Sequence, residues 1–314
     1  MRRIAVATDN RADRGLTEVL RERIELDPDM VLTSTNDHTN TDLIVIPGDR
    51  IEMLTLAVDA TLNSIPIAHI YGGESTFGNY DESCRHAITK LSHIHFVQNS
   101  GYASRVLQLG EDPNRVFIVG NPSLDTKPVP HGFGEIDFLV ILHPETVSGQ
   151  DNRALVHEVV QALWKFDDYK MVVISPNNDP GSLRIRDWLR DFARMGENVT
   201  YSEGISHGEF FDLLSKVSVI IGNSSSGILE APYFGTPVVN IGKRQEGRHQ
   251  FGTVINCIPR KHDIVEAIRE ALDPNQRVYV RPEKLNATDE ILRVLKGIDL
   301  NNILYKRFYD LHYS

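Results

Sequence analysis

Cysteine is nearly absent. Cys84 and Cys257 are the two in 314 residues, and their separation fits no disulfide or metal spacing rule. A disulfide framework is therefore excluded, and a reduced, cytoplasmic setting is the expectation. In such a setting the Asn-x-Ser/Thr matches at Asn198, Asn223 and Asn286 carry no meaning. No window holds eighteen consecutive apolar residues, which excludes a membrane-spanning helix. The short apolar run after Met1-Arg2-Arg3 meets Asp9 at once and reads as a first strand rather than a leader. Positive charge accumulates nowhere along the chain, and the net charge is −10. A nucleic-acid partner is thereby disfavoured, though a few converging arginines can still hold a small anion. Phosphate-loop, dinucleotide-fingerprint and nucleophile-elbow patterns are missing too, which counts against phosphoryl transfer, hydride transfer and serine hydrolysis.

What is present is a regular alternation. Short β-branched runs at residues 4–7, 43–46, 67–70, 94–97 and 116–119 are separated by segments with apolar residues at helical spacing. A second series follows at 138–142, 171–174, 199–201, 217–221, 238–241 and 253–258. Strand–helix alternation implies parallel sheets covered on both faces. The expected architecture is α/β, with two Rossmann-like doubly wound domains and a ligand cleft at the carboxyl ends of their strands. The Pro/Gly-rich stretch 128–134 is the expected hinge. The first domain is expected over 1–127 plus about 300–314, with a helical 301–313 packing back across it, and the second over 135–299. Between the strands at 4–7 and 43–46 there is room for about one βαβ unit of ~30 residues, so the first domain reads as shortened.

The candidate chemistry sits at strand ends. Gly222-Asn223-Ser224-Ser225-Ser226-Gly227 follows an apolar run and enters a helix, where backbone N–H groups at the positive end of the dipole suit phosphate. Glu230, expected about one and a half turns into that helix, is placed for a ribose diol, and the basic turn from Lys243 to Arg248 follows. Gly48-Asp49-Arg50 ends another strand, where Asp49 reads equally as helix N-cap or catalytic acid. His69 to Glu74 ends the next strand in two glycines and an acid, and Asp81, Glu82, Arg85 and His86 open a helix. Acids at three separate strand ends exceed what capping needs. In the second domain His143 leaves a strand ahead of Pro144 and suits a diphosphate partner, while Asn177 lies in a further strand-to-helix turn. His93 and His95 alternate on one strand face, but with no third ligand at workable spacing packing is preferred over metal.

Together, Gly48-Asp49-Arg50, His69-Ile70-x-Gly72-Gly73-Glu74, the Asp81 to His93 segment and the Gly222 to Arg248 block closely resemble the UDP-N-acetylglucosamine 2-epimerase family. The likeness is strongest to its hydrolysing, sialic-acid and nonulosonate branch, and covers most of 42–256. It implies a glycosyltransferase-B arrangement, no redox cofactor or metal, a UDP-sugar as small-molecule partner, and dimers or tetramers. By motif position it implies Asp49 and Asp81 as catalytic carboxylates, supported by Glu74, Glu82, His143 and Arg85. It implies Arg11, Arg50, Asn177, Ser224, Ser225, Ser226, Glu230 and Arg244 as UDP-binding residues. Two departures stand out: Tyr71 occupies a position where many members carry glutamate, and the stretch between Arg11 and Asp49 is short. Tyrosine is a poor base, with a reference pKa near ~10, so Glu74 or Glu82 is the expected substitute. A transferase of the same architecture and a non-catalytic UDP-sugar binder are the alternatives.

Overall fold

The computed structural model describes residues 1–8, 11–126, 134–146 and 151–311, and the side chains of residues 11–16 and 126 lie outside that description. The expected hinge therefore falls, Gly134 excepted, outside the described residues, as does the side chain of Arg11.

The chain divides into two compact units. One comprises Met1–Glu74, Asp81–Lys127 and Pro282–Ser314, and the other Ser75–Tyr80 and Pro128–Arg281. In chain order the first unit contains β1 (Arg2–Val6), α1 (Arg11–Leu26), β2 (Met30–Thr33), β3 (Leu43–Pro47), α2 (Ile51–Leu62) and β4 (Ile67–Ile70). It continues with α3 (Asp81–Leu91), β5 (Ile94–Val97), α4 (Ser100–Gln108) and β6 (Val116–Ile118). Its six strands are ordered β2-β1-β3-β4-β5-β6, and every pairing is parallel.

Alternation along β1 shows why both faces must be covered. Ile4 and Val6 pack with Leu20 and Ile24 of α1, whereas Ala5 and Ala7 pack on the opposite face with Met53, Ala57 and Ala60 of α2. The short stretch from Arg11 to the start of β3 folds as one helix and the edge strand β2. Sequence patterning missed β2 because an edge strand is half exposed and shows weak periodicity.

The second unit repeats the plan with β7 (Ile136–Ile141), α5 (Asn152–Leu163), β8 (Met171–Ile174), α6 (Ser182–Met195), β9 (Val199–Ser202), α7 (His207–Lys216) and β10 (Val217–Gly222). After α8 (Ser225–Leu229) come β11 (Val238–Ile241), β12 (Val254–Cys257) and α9 (Lys261–Ala271). The strand order β12-β11-β10-β7-β8-β9 is that of a dinucleotide-type doubly wound sheet, with its switch point between β7 and β10.

The chain returns to the first unit at Pro282, not near residue 300, and the returning helix is α10 (Ala287–Gly297). The expected helix over 301–313 is not formed: residues 301–304 make a turn and 305–311 no regular element. The reason lies in packing and capping. Ile291, Leu292 and Leu295 of α10 enter the same apolar cluster as Ile4 and Leu43. The first N–H groups of α10 are satisfied from far away, Ala287 and Thr288 donating to the two oxygens of Asp125 at 3.0 and 2.6 Å. Asn286, at the N-cap position, supplies no side-chain bond of its own. Replacing Asp125 with alanine should lower stability by about 0.5–2 kcal/mol, measured by urea denaturation. An unchanged midpoint would show that α10 needs no borrowed cap.

Candidate active site

In the first unit the acids gather around one guanidinium. Arg85, in the second turn of α3, has 1% of its surface exposed. It donates to Asp49 in the loop after β3, to Glu82 Oε2 at 2.8 Å, and to the Glu74 carbonyl at 3.2 Å. Burial alone would lower its pKa. The carboxylates of Asp49, Glu74 and Glu82 outweigh that and hold it above the ordinary arginine value, so it is permanently charged. The capping reading of Asp49 does not hold: the N-cap of α2 is Arg50, whose side chain makes no cap bond and reaches Glu52 Oε2 at 3.3 Å instead. Asp81 and Glu82 do occupy the first turn of α3, where the dipole favours them. Glu82 is held on both oxygens, since His86 Nε2 lies 3.0 Å from Oε1. Glu74 is 3% exposed and accepts from the amide of Gln98 at 2.7 Å. Arg11 is the first residue of α1, and its side chain is outside the described residues.

Tyr71 is turned into the core. Its ring is buried in the cluster of Ile4, Val45 and Phe96, its backbone adopts φ +71°, and its hydroxyl donates to Asn121 Oδ1 at 3.2 Å. A left-handed aromatic residue costs of order 1–3 kcal/mol and persists only where its surroundings over-determine it. His93 and His95 are engaged elsewhere: His93 Nδ1 accepts from the Ile67 N–H at 3.1 Å, and His95 pairs with buried Glu111 at 2.9 Å.

In the second unit the residues after β7, β8 and β10 converge at the switch point. The Asn223 side chain, 1% exposed, accepts from the His143 N–H at 2.7 Å and donates to the His143 carbonyl at 2.9 Å. This two-way bond fastens the exits of β7 and β10 together. The close approach explains Gly222, at φ +143°, where an added Cβ would lie 1.9 Å from the Ile141 carbonyl oxygen. The Asn177 N–H donates to His143 Nδ1 at 3.1 Å, so the ring proton sits on Nε2. Burial and the nearby Arg244 push the His143 pKa down to about 3, which keeps the ring neutral. Arg244 and Gln245 both donate to the Asn223 carbonyl, at 3.2 and 2.9 Å. Arg244 also lies 3.7 Å from Asp179, which accepts from the Asn177 amide. The basic turn is seated by Glu145, whose Oε1 accepts from the Lys243 N–H at 2.7 Å.

The serine cluster is partly used by the fold. Ser224 is the N-cap of α8, accepting from Ser226 N at 3.4 Å, with Ser225 and Ser226 in its first turn. Glu230 is not within the helix as expected. α8 stops at Leu229, and Glu230 is its C-cap, 7% exposed. Pro232 is the cause, since its ring has no N–H and forces the chain into a short 3₁₀ turn over Ala231–Phe234. The sequence motifs gave no individual role to Asn223, Glu145, His69 or Gln245. The alternation of polar residues with glycine at the strand exits was the available signal, but it does not say which polar groups face inward.

A family model described as UDP-N-acetylglucosamine 2-epimerase matches residues 28–296. The chain is 33% identical over 289 residues to the polysialic acid biosynthesis protein P7 of Escherichia coli, covering 86% of this chain and 74% of that one. It is 34% identical over 275 residues to a UDP-N,N'-diacetylbacillosamine 2-epimerase (hydrolyzing) of Legionella pneumophila, covering 83% and 72%. Among solved structures, UDP-GlcNAc 2-epimerase from Neisseria meningitidis bound to UDP-GlcNAc superposes with a TM-score of 0.76 at 16% identity, over 94% of this chain and 99% of that one. That likeness bears out the fold, two parallel-sheet α/β domains.

Histidines whose surroundings disfavour the charged ring make stability depend on pH. Burial lowers His69 and His143 to about 3 and His93 to about 4, against an unfolded value near ~6.5. Between those values the unfolded chain binds more protons than the folded one, so stability is full above about pH 6.5 and falls as the solution is acidified. Each histidine contributes a slope of up to about 1.4 kcal/mol per pH unit. Urea midpoints should be flat from pH 7 to 8 and decline below about 6.5. A midpoint unchanged at pH 5 would contradict the neutral burial of these rings.

Proposed function

The chain belongs to the UDP-N-acetylglucosamine 2-epimerase family, and we propose that it is a hydrolysing member, converting UDP-N-acetylglucosamine or a close N-acetylated analogue to the 2-epimeric free sugar and UDP. The observation that carries the catalytic assignment is the set of acids Asp49, Glu74 and Glu82 around buried Arg85, with Asp81 opening the same helix. In the first step a carboxylate takes the proton from C2, the C2 electron pair forms a C1–C2 double bond, and the C1–O bond breaks with its electrons leaving on UDP. The intermediate is a 2-acetamidoglucal. In the second step water adds its hydroxyl to C1 and a proton returns to C2 on the opposite face, giving N-acetylmannosamine when the substrate is UDP-N-acetylglucosamine. No redox cofactor takes part in this balance.

Asp49 and Asp81 are assigned as the carboxylates that move these protons. Glu74 or Glu82 stands in for the acid missing at Tyr71, both carboxylates lying in the field of Arg85. Arg85 keeps Asp49 oriented. In the second unit Arg244 supplies positive charge and neutral His143 an Nε2–H donor for the diphosphate, where negative charge develops as UDP leaves. Glu230 accepts from the ribose hydroxyls, and Asn177 with Ser224, Ser225 and Ser226 completes the UDP contacts.

Proton NMR with UDP-N-acetylglucosamine in deuterated water should show UDP and N-acetylmannosamine carrying deuterium at C2. UDP release that requires an added acceptor, with no glucal, would point to a transferase instead. Asp49→Asn and Asp81→Asn should each lower kcat by about 10²–10⁴-fold while UDP affinity by calorimetry stays near wild type. Glu230→Ala should weaken UDP by on the order of 1–3 kcal/mol. Equal loss of UDP affinity in all three variants would overturn this division of labour.

A further inference from the structure

His69 lies in the middle of the first unit's sheet, where an apolar side chain would pack. It is completely buried on β4, level with Ile46 of β3 and His95 of β5. A polar ring at such a place costs hydration and is retained only when its hydrogen bonds are satisfied. Both of its nitrogens are engaged, and by two different elements. Nε2 lies 2.8 Å from the Gly48 carbonyl oxygen. A carbonyl can only accept, so the ring carries its proton on Nε2. Nδ1 is then an acceptor and faces the Thr89 hydroxyl at 3.1 Å.

Those two partners flank the acid cluster. Gly48 immediately precedes Asp49, and its own N–H is tied to the Ile70 carbonyl at 2.9 Å. Thr89 stands one turn beyond Arg85 on α3, and its single hydroxyl proton lies within reach of two acceptors, His69 Nδ1 and the Arg85 carbonyl, each at 3.1 Å. The clamp uses it toward Nδ1, the carbonyl lying within the helix where the backbone ladder serves it. Room for the ring and the hydroxyl is kept by Gly72, where a Cβ would come within 3.1 Å of His69 Nδ1 and 3.2 Å of Thr89 Oγ1. One imidazole thus bridges the loop that presents Asp49 and the helix that presents Arg85.

We propose that His69 is a positioning residue for the Asp49 carboxylate, a two-ended clamp that sets the Asp49 loop against α3 through the Gly48 carbonyl and the Thr89 hydroxyl. This rests on the assignment of Asp49 made above. Burial, with His95 and Arg85 nearby, pushes its pKa down to about 3, so the ring is neutral near pH 7.

The test compares His69→Leu, which removes both bonds, with His69→Gln, whose amide can donate to the Gly48 carbonyl and accept from Thr89. His69→Leu should lower kcat by about 10–100-fold, as misplacement of a reacting group by about 1 Å does. KM and UDP affinity should stay within about twofold of wild type, since the clamp touches neither substrate nor nucleotide. His69→Gln should recover most of the lost kcat. A His69→Leu enzyme with wild-type kcat would overturn the proposal. So would a glutamine variant that rescues nothing, or a parallel loss of kcat, UDP affinity and melting temperature in both variants. If the wild-type protein turns over no UDP-N-acetyl sugar, the proposed reaction fails by itself, and crystal structures of the two variants decide the clamp. An Asp49 carboxylate displaced from Arg85 in the leucine variant but not in the glutamine variant supports it, and an undisplaced one overturns it.

Discussion

Taking the guanidinium of Arg85 out of water costs several kcal/mol, and the opposing carboxylates must offset that cost. Asp49, Glu82 and the field of Glu74 do so, and the consequence is geometric. Three acids from the loop after β3, the exit of β4 and the first turn of α3 are drawn to one cation. A hydrophobic group of the same size would fill the space and leave the acids without a common focus. The same constraint explains why the neighbouring polar groups turn toward the acids. Gln98 holds Glu74, His86 holds Glu82, and His69 with Thr89 ties the Asp49 loop to the helix.

The second unit meets a comparable requirement with neutral groups. At its switch point the reciprocal bond between Asn223 and the His143 backbone fixes two strand exits that are 80 residues apart. The Asn223 carbonyl then collects Arg244 and Gln245 from the basic turn. The positive charge of Arg244 is thus hung on a backbone frame, and the neutral His143 beside it offers a donor without adding a second positive charge. Such preorganised donors need little rearrangement when negative charge develops on a leaving group.

The parts of this arrangement that were legible beforehand share a physical cause. Asp49, Arg85 and Asp81 stand at the ends of strongly periodic segments, and strand exits in parallel sheets are where ligands bind. Glu230 shows the boundary of that reasoning. Its burial was not readable from helical periodicity, because Pro232 ends α8 early and places it at a cap. Tyr71 shows it again. The residue type announced a departure from the family pattern, but only φ +71° and the bond to Asn121 show the ring turned into the core. β2 and α10 were missed or misplaced because an edge strand has weak alternation and because the cap of α10 comes from Asp125, 162 residues away.

The sequence by itself determined two parallel-sheet units, the strand exits that carry the acids and the serine-rich turn, and the family to which the chain belongs. These follow from local periodicity and from short motifs whose residues are close in the chain. The tertiary structure alone decided which acid meets Arg85, which nitrogen of His69 and of His143 carries the proton, and where the chain crosses back to the first unit. Each of those depends on groups distant in sequence competing for the same hydrogen bond or the same buried charge, and no local pattern records the outcome of that competition.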